Sequence, residues 1–320
     1  MRNLPPLLAK SLAMLLLLAA GSVAVQVLCF STSGEETDLA HQLRFNEEYN
    51  IFSLNLPNEL EFCGERVPLE LLDVRERLDR ELLVNTYWQS NSLLAHKRAN
   101  RWFPVIEPIL KREGLPDDFK YLPLVESGFT NVVSPAGAAG YWQFMEGTAR
   151  GAGLEVTSEV DERYNVVRST EAACAYLKEA YARYGSWAMA AASYNLGHGN
   201  LQLQLGRQKQ NDYFALLLPE ETSRYVFRIL AMKTIIGDPE RYGFHLRPKD
   251  LYPPYRTRKV EVSAPVEDLN AFAVSNGTNY KVLKLLNPWM RDNTLKGKPG
   301  KTYSVLLPTE DFDKVVEPDE

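Results

Sequence analysis

The stretch YLPLVESGFTNVVSPAGAAGYWQF, from Tyr121 to Phe144, contains a single acid. Glu126 follows Leu122, Pro123, Leu124 and Val125 and precedes Phe129, and the nearest basic residue in sequence is Lys120. Burial among apolar neighbours raises a carboxyl pKa and a nearby cation lowers it. The local sequence therefore permits a raised carboxyl pKa, which neighbours brought in by the fold can undo. Gly128 suits a helix end or a turn. Gly137, Gly140 and the alanines between them allow close backbone approach, as along a ligand cleft. The competing reading is a surface carboxylate at a helix end, and the stretch alone leaves both open.

The chain has 320 residues and a formal net charge of −5. That length suits one good core plus a smaller module. A mildly acidic chain lacks the basic footprint of nucleic-acid binding. His41, His96, His198 and His245 are scattered, and there is no zinc-type Cys/His cluster or phosphate-binding loop, so neither a metal nor a cofactor is expected. Three cysteines are too few for a disulfide framework. A Cys63–Cys174 bridge is open to the chain in an oxidising compartment. Cys174, in an alanine-rich helix, also reads as a small buried apolar residue.

The first thirty residues carry Arg2 and Lys10, then an apolar run from Leu12 with no charge until Glu35. A basic start, an apolar middle and small residues at Ser22–Ala24 form the layout of a secretory signal. The run is also about the ~20 residues that span a bilayer, so an uncleaved anchor with its basic end inside competes with it. Either way the folded part is exported.

Residues 31–66 read as a linker or arm. From Val67 the pattern turns helical: Leu71, Val74, Leu78 and Leu82 share a face, and Trp102, Ile106, Ile109 and Leu110 do so before the stop at Gly114-Leu-Pro116. Ser169 suits an N-cap for the helix that ends at Gly185. Ser186 suits one for the helix that closes at Leu196-Gly197. Pro219 suits position N1 of a helix stopped by Gly237. The proline- and charge-rich segment 248–257 reads as a linker. Beyond it, KVEVSAP, VEDLNAFAVSNG, NYKVLKLLNPWM and KTYSVLLP give the order β-α-α-β over 258–308, followed by an acidic tail, 309–320.

Five blocks stand in order across residues 100–240. They are ES-G-F from Glu126, SPAGAAGYWQFM from Ser134, the D-x-R stretch at Asp161 and Arg163, the W…A helix leading into A-x-YN-x-G around Tyr194, and E-T-x-x-Y-V from Glu221. This series resembles the lytic transglycosylases, lysozyme-like enzymes that cut the glycan strands of bacterial peptidoglycan. The subgroup it is most similar to is the membrane-bound lytic murein transglycosylase D type, through GLPDDFKYLPLVES and the C-terminal unit. Residues 258–308 resemble a degenerate LysM unit, a glycan-binding module. APVED stands where such units carry a glycine-aspartate-threonine turn, which puts glycan binding in question and leaves docking or packing as the alternative.

The resemblance implies a mainly α fold. A lysozyme-like helical catalytic domain with an N-terminal helical extension, 67–247, would be followed by the small LysM-like module. It makes Glu126 the catalytic acid and base, and it gives Ser127, Gln143, Tyr194, Asn195 and Tyr225 as substrate-binding residues. Four of these have a structural alternative: a helix cap for Ser127 and Asn195, a loop hydrogen bond for Gln143, a core position for Tyr225. Trp142 reads as a sugar platform or a core residue. Asp161 and Arg163 read as an ion pair. The implied partner is the peptidoglycan glycan strand, in the cell envelope, with membrane anchoring through the N-terminal segment left open. Two other readings remain: a muramidase that directs water with Asp161 or Glu162, and a non-catalytic wall-binding protein.

Overall fold

The computed structural model describes residues 37–40, 43, 51–298, 300–310 and 312. The N-terminal apolar run and the end of the acidic tail lie outside the described residues. The chain divides into Met1–Phe52 and Ser53–Glu320. The second unit carries everything that follows. Among the described residues no helix is long and apolar enough to cross a membrane.

A hairpin, β1 (Glu61–Phe62) and β2 (Glu65–Arg66), precedes the helices. It stands inside the segment that the sequence presents as a linker. Phe62 is fully buried, edge-on to Phe119 with ring centroids 5.7 Å apart. Asp118 fixes the turn: its carboxylate accepts from the Cys63 amide at 2.6 Å and pairs with Lys233 at 2.7 Å. The Cys63–Cys174 bridge is not formed, and both thiols are free. Cys63 occupies the hairpin turn, whereas Cys174 is packed in the core, where burial pushes its thiol up to about 12.

Helices α1 (Leu72–Tyr87) and α2 (Gln89–Glu113) follow. Val74, Leu78 and Leu82 of α1 are fully buried at the expected spacing; Leu71, expected on the same face, is the exposed N-cap residue. Helix α2 ends at Gly114, whose left-handed φ of 71° lets its amide and that of Leu115 reach the Leu110 carbonyl. Short α3 (Tyr121–Ser127) and α4 (Glu146–Gly151) bracket the glycine-rich loop. Helix α5 (Val166–Tyr184) starts earlier than the sequence suggests. Asn165 is its cap, accepting from Val167 and Arg168, and the Ser169 hydroxyl instead bonds back to the Asn165 carbonyl inside the first turn.

Helix α6 (Trp187–Leu196) begins at Ser186 as expected, and α7 (His198–Gln208) continues past Gly197. Pro219 caps α8 (Glu220–Gly237) from one position before N1. Tyr225, Val226, Phe227, Ile229, Leu230 and Ala231 of α8 are fully buried, so its wide apolar face forms the axis on which α1, α3 and α6 pack, while Glu221, Arg224 and Arg228 stand on the other face.

In the C-terminal module β3 (Thr257–Ser263) and β4 (Thr302–Pro308) pair antiparallel, with Thr257 opposite Pro308 and Ser263 opposite Thr302. Helices α9 (Leu269–Ser275) and α10 (Tyr280–Leu286) close one face, capped by Asp268 and Asn279. Tyr303, Val305 and Leu307 alternate inward along β4, as strand geometry requires. The preceding segment is docked on α2: the Arg101 guanidinium lies 4.2 Å above the Tyr255 ring.

Phe62→Ala should destabilise the protein by about 3–5 kcal/mol, the usual cost of emptying a buried aromatic site. Urea denaturation of the variant checks this, and a loss under about 1 kcal/mol would show that the hairpin is not part of the core.

Candidate active site

Glu126 lies in the last turn of α3, where Gly128 (φ 58°) and Phe129 (φ 54°) turn the chain out of the helix. The glutamate side chain is half-buried, open enough to meet a ligand. Its Oε1 accepts a short hydrogen bond from the Tyr225 hydroxyl on α8. Oε2 has no hydrogen-bond partner among the described residues. Burial holds the carboxyl above its ordinary pKa of 4.5; the Tyr225 bond and the Arg228 charge oppose that, and Glu221 adds to it. Burial also pushes Tyr225 well up, with the Glu126 charge reinforcing the effect, so the phenol stays a donor.

Two side chains here were missed by sequence reading. Arg228 donates to the Val125 carbonyl at 3.0 Å and has no ion-pair partner within salt-bridge distance among the described residues. Glu221 accepts from the Asn195 amide at 3.2 Å. Their signal was available: Glu221, Tyr225 and Arg228 recur at intervals of four and three, which puts them on one face of a helix. Glu220, Glu221, Arg224 and Arg228 line a cavity of about 380 Å³. A larger one, about 640 Å³, lies between residues 54–58 and α1 and contains none of these residues.

The other expected residues divide by what their polar atoms already do. The Ser127 hydroxyl lies 2.9 Å from the Pro123 carbonyl and 2.8 Å from that of Tyr141, tying α3 to the loop rather than facing a ligand. Tyr194 donates to the Trp142 carbonyl at 2.7 Å, and its ring packs edge-on against Trp142, Phe144 and Tyr176. The Asn195 side-chain oxygen Oδ1 accepts from the Thr222 hydroxyl at 2.7 Å, so Asn195 clips the end of α6 to the start of α8. Gln143 sits in the left-handed region (φ 49°) and directs Nε2 at the carbonyls of Gly140 and Val132, 2.7 and 3.1 Å away. Its amide oxygen is left to accept from a ligand. Trp142 is a core residue, fully buried and donating to Thr170 at 2.9 Å. Exposed Val132, Val133 and Met145 supply apolar surface on this loop and at its end.

Asp161 and Arg163 form the expected ion pair, at 2.7 Å. The same guanidinium donates to the carbonyls of Gly137 and Phe144 at 3.1 and 3.2 Å, clamping both ends of the glycine-rich turn. Gly140 (φ 77°) sits so close to this backbone that a Cβ there would lie 1.9 Å from the Arg163 carbonyl oxygen. Glu162 accepts from the Glu155 amide at 2.7 Å and pairs with Lys301 at 3.0 Å. Among the described residues no group of His, Cys, Asp and Glu gathers as a metal site.

The site thus brings together a half-buried glutamate, a phenol that steadies one of its oxygens, and a clamped loop whose Gln143 amide oxygen has no protein partner among the described residues, an arrangement able to give and take a proton. Residues 103–217 match the transglycosylase SLT domain, and residues 258–311 match the soluble lytic transglycosylase C-terminal LysM-like domain. It is 31% identical over 265 residues to the membrane-bound lytic murein transglycosylase D of Escherichia coli K12, a match covering 80% of this chain and 57% of that protein. The chain thus spans little more than half the length of that relative. It is also 25% identical to a putative tributyltin chloride resistance protein of an Alteromonas species, over 60% of this chain and 89% of the other. The crystal structure of the 70 kDa soluble lytic transglycosylase of Escherichia coli aligns with a TM-score of 0.36 at 23% identity, over 47% of this chain and 27% of that one.

The raised pKa of Glu126 carries a stability consequence. The neutral carboxyl is the form the fold prefers, so the contribution of this group is complete below about pH 4.5 and is lost as pH rises through the folded pKa. Glu126→Gln cannot ionise. Its melting temperature should match that of the wild type at low pH and exceed it at pH 8; calorimetry across this range checks the sign.

Proposed function

We propose that the protein is a peptidoglycan lytic transglycosylase. It would cleave the β-1,4 bond between N-acetylmuramic acid and N-acetylglucosamine and leave a 1,6-anhydromuramic acid end. The observation that carries this reading is Glu126, desolvated and held by Tyr225, inside a stretch that matches the SLT domain.

The reaction needs one carboxyl in two roles. Protonated Glu126, with Oε1 fixed by Tyr225, gives its proton from Oε2 to the glycosidic oxygen. The C1–O bond breaks and the N-acetylglucosamine alcohol leaves. The substrate's own N-acetyl oxygen closes on C1, which is one of the recognised exceptions to the two-carboxylate rule. Ionised Glu126 then takes the proton of the muramic C6 hydroxyl, and O6 displaces the N-acetyl oxygen at C1. Protons balance, Glu126 is returned to its acid form, and no water is consumed. Proton transfer of this kind supplies about 10²–10⁴-fold. The Gln143 amide oxygen would accept from a sugar hydroxyl or amide. Ser127, Tyr194 and Asn195 would serve by holding the cleft in shape.

A hydrolytic enzyme would need another acid to direct water. Asp161 and Glu162 are engaged by Arg163 and Lys301, which favours the one-carboxyl route. Export to the cell envelope fits the basic and apolar start of the chain. The segment would act there as a signal or as an anchor. The LysM-like module would stand on the same substrate.

Mass spectrometry of products from purified sacculi tests the reading. Anhydro ends are expected with the wild type and none with Glu126→Gln; reducing ends would make the enzyme a muramidase. Arg228→Met should raise the Glu126 pKa by removing an opposing cation. The alkaline limb of the pH–rate profile should then move upward, and a downward move would show that Arg228 acts otherwise.

A further inference from the structure

We infer that the C-terminal module is a fixed part of the cleft wall, and that Lys301 and Tyr303 are positioning residues for Gln143. Segment 155–164, a bend closed by the Val156–Asp161 bridge and followed by a 3-10 turn, lies between the module and the glycine-rich loop, and it is bonded to both.

On the module side the backbone itself is joined. Val160 pairs with Met290, the Asp161 amide donates to the Trp289 carbonyl at 2.9 Å, and the Arg291 amide donates to the Glu159 carbonyl at 2.7 Å. The Arg291 guanidinium lies 4.2 Å above the Tyr164 ring. Glu155 and Glu162 are both buried; Arg168 of α5 stands 3.7 Å from Glu162, and the module carries the closer partners of both acids. Lys301 reaches Glu155 at 2.8 Å and Glu162 at 3.0 Å, and the Tyr303 hydroxyl donates to Glu155 at 2.9 Å. A buried carboxylate without a partner is costly, so the catalytic domain depends on the module to complete this segment.

On the cleft side the segment holds the loop. Arg163 clamps Gly137 and Phe144, and Gly140 rests on the Arg163 carbonyl. Ala139 and Phe144 exchange backbone hydrogen bonds at 3.0 and 3.1 Å, which closes the turn containing Gln143. Ala139 itself, almost fully buried, belongs to the module's apolar cluster with Val160, Tyr164, Trp289 and Met290, not to the core of the helical domain. A connected path therefore runs from Lys301 and Tyr303 through Glu155 and Glu162 to Arg163, the turn and Gln143. A glycan-binding arm on a loose tether would leave Ala139, Val160 and Tyr164 exposed, Glu155 without its partners and Glu162 with Arg168 alone, 3.7 Å away.

Hydrogen exchange on the full chain tests the inference directly, with amides 134–145 as the reporter and amides 224–236 of α8 as the reference. In Lys301→Met/Tyr303→Phe, exchange at 134–145 should quicken about tenfold or more while the reference is unchanged. Lys301→Arg should restore wild-type protection. Lys281→Ala, on the exposed side of α10, should leave it untouched. Unchanged exchange at 134–145 in the double variant would overturn the inference. If that variant does not fold, Tyr303→Phe alone, which keeps the ring stacked on Trp289, should give a smaller increase at the same amides, and its absence would overturn the inference equally. A second arm rests on the proposed activity. Turnover of a short soluble murein fragment, too small to bridge cleft and module, should show a raised KM in the double variant with kcat largely kept. No turnover by the wild type would defeat the proposed activity, and the exchange arm would still decide the brace.

Discussion

The hydrogen bond from Tyr225 to Glu126 is the contact on which the arrangement turns. It joins α3, only seven residues long, to the deeply buried α8. An acid in a dry site is not useful by itself, because a free carboxyl rotates and either oxygen can carry the proton. A phenol kept protonated by its own burial occupies one oxygen and leaves the other for a ligand. The same bond tempers the effect of burial: it lowers a pKa that desolvation raises, and Arg228 adds to the lowering. Desolvation on one side and these two groups on the other thus pull the same carboxyl in opposite directions.

The rest of the fold holds the parts around this bond. Glu65, on the hairpin, accepts from the Ser186 hydroxyl at 2.9 Å and from the Ala188 amide at 3.2 Å, placing an anion at the N-terminus of α6. That helix ends in Tyr194 and Asn195, so an element that looks peripheral in sequence sets the position of two residues of the site. The side of the cleft built by residues 137–144 depends on Arg163, and through it on the module. Glu81, buried on α1, is held by Arg80 and by Arg224 of α8, which fixes the remaining side.

Much of this was legible beforehand, for identifiable reasons. Helix ends at Gly114, Gly185 and Ser186 were readable because glycine in the left-handed region and a serine cap are local chemistry. The isolation of Glu126 in an apolar run was readable because α3 is short and buried on most faces. What failed was whatever depends on distant partners. Ser169 looked like a cap, but Asn165 offered a side-chain acceptor to two amides one turn earlier. Residues 31–66 looked like a linker because Phe62 finds its partner, Phe119, fifty-seven positions later. Ser127 looked available for a sugar until the Tyr141 carbonyl, across the loop, was seen to accept its bond. Arg228 and Glu221 were missed although they share a helical face with Tyr225, since charge on an amphipathic helix usually means a solvated face.

The central claim is that Glu126 is a carboxyl raised by burial and restrained by Tyr225. Site-resolved carbon NMR titration of the Glu126 carboxyl, in the wild type and in Tyr225→Phe, tests it most directly. The account predicts a wild-type midpoint above 4.5 and a still higher one in the variant, because the lost bond favoured the charged form. A wild-type midpoint at or below 4.5, or a fall on removing the tyrosine hydroxyl, would contradict it.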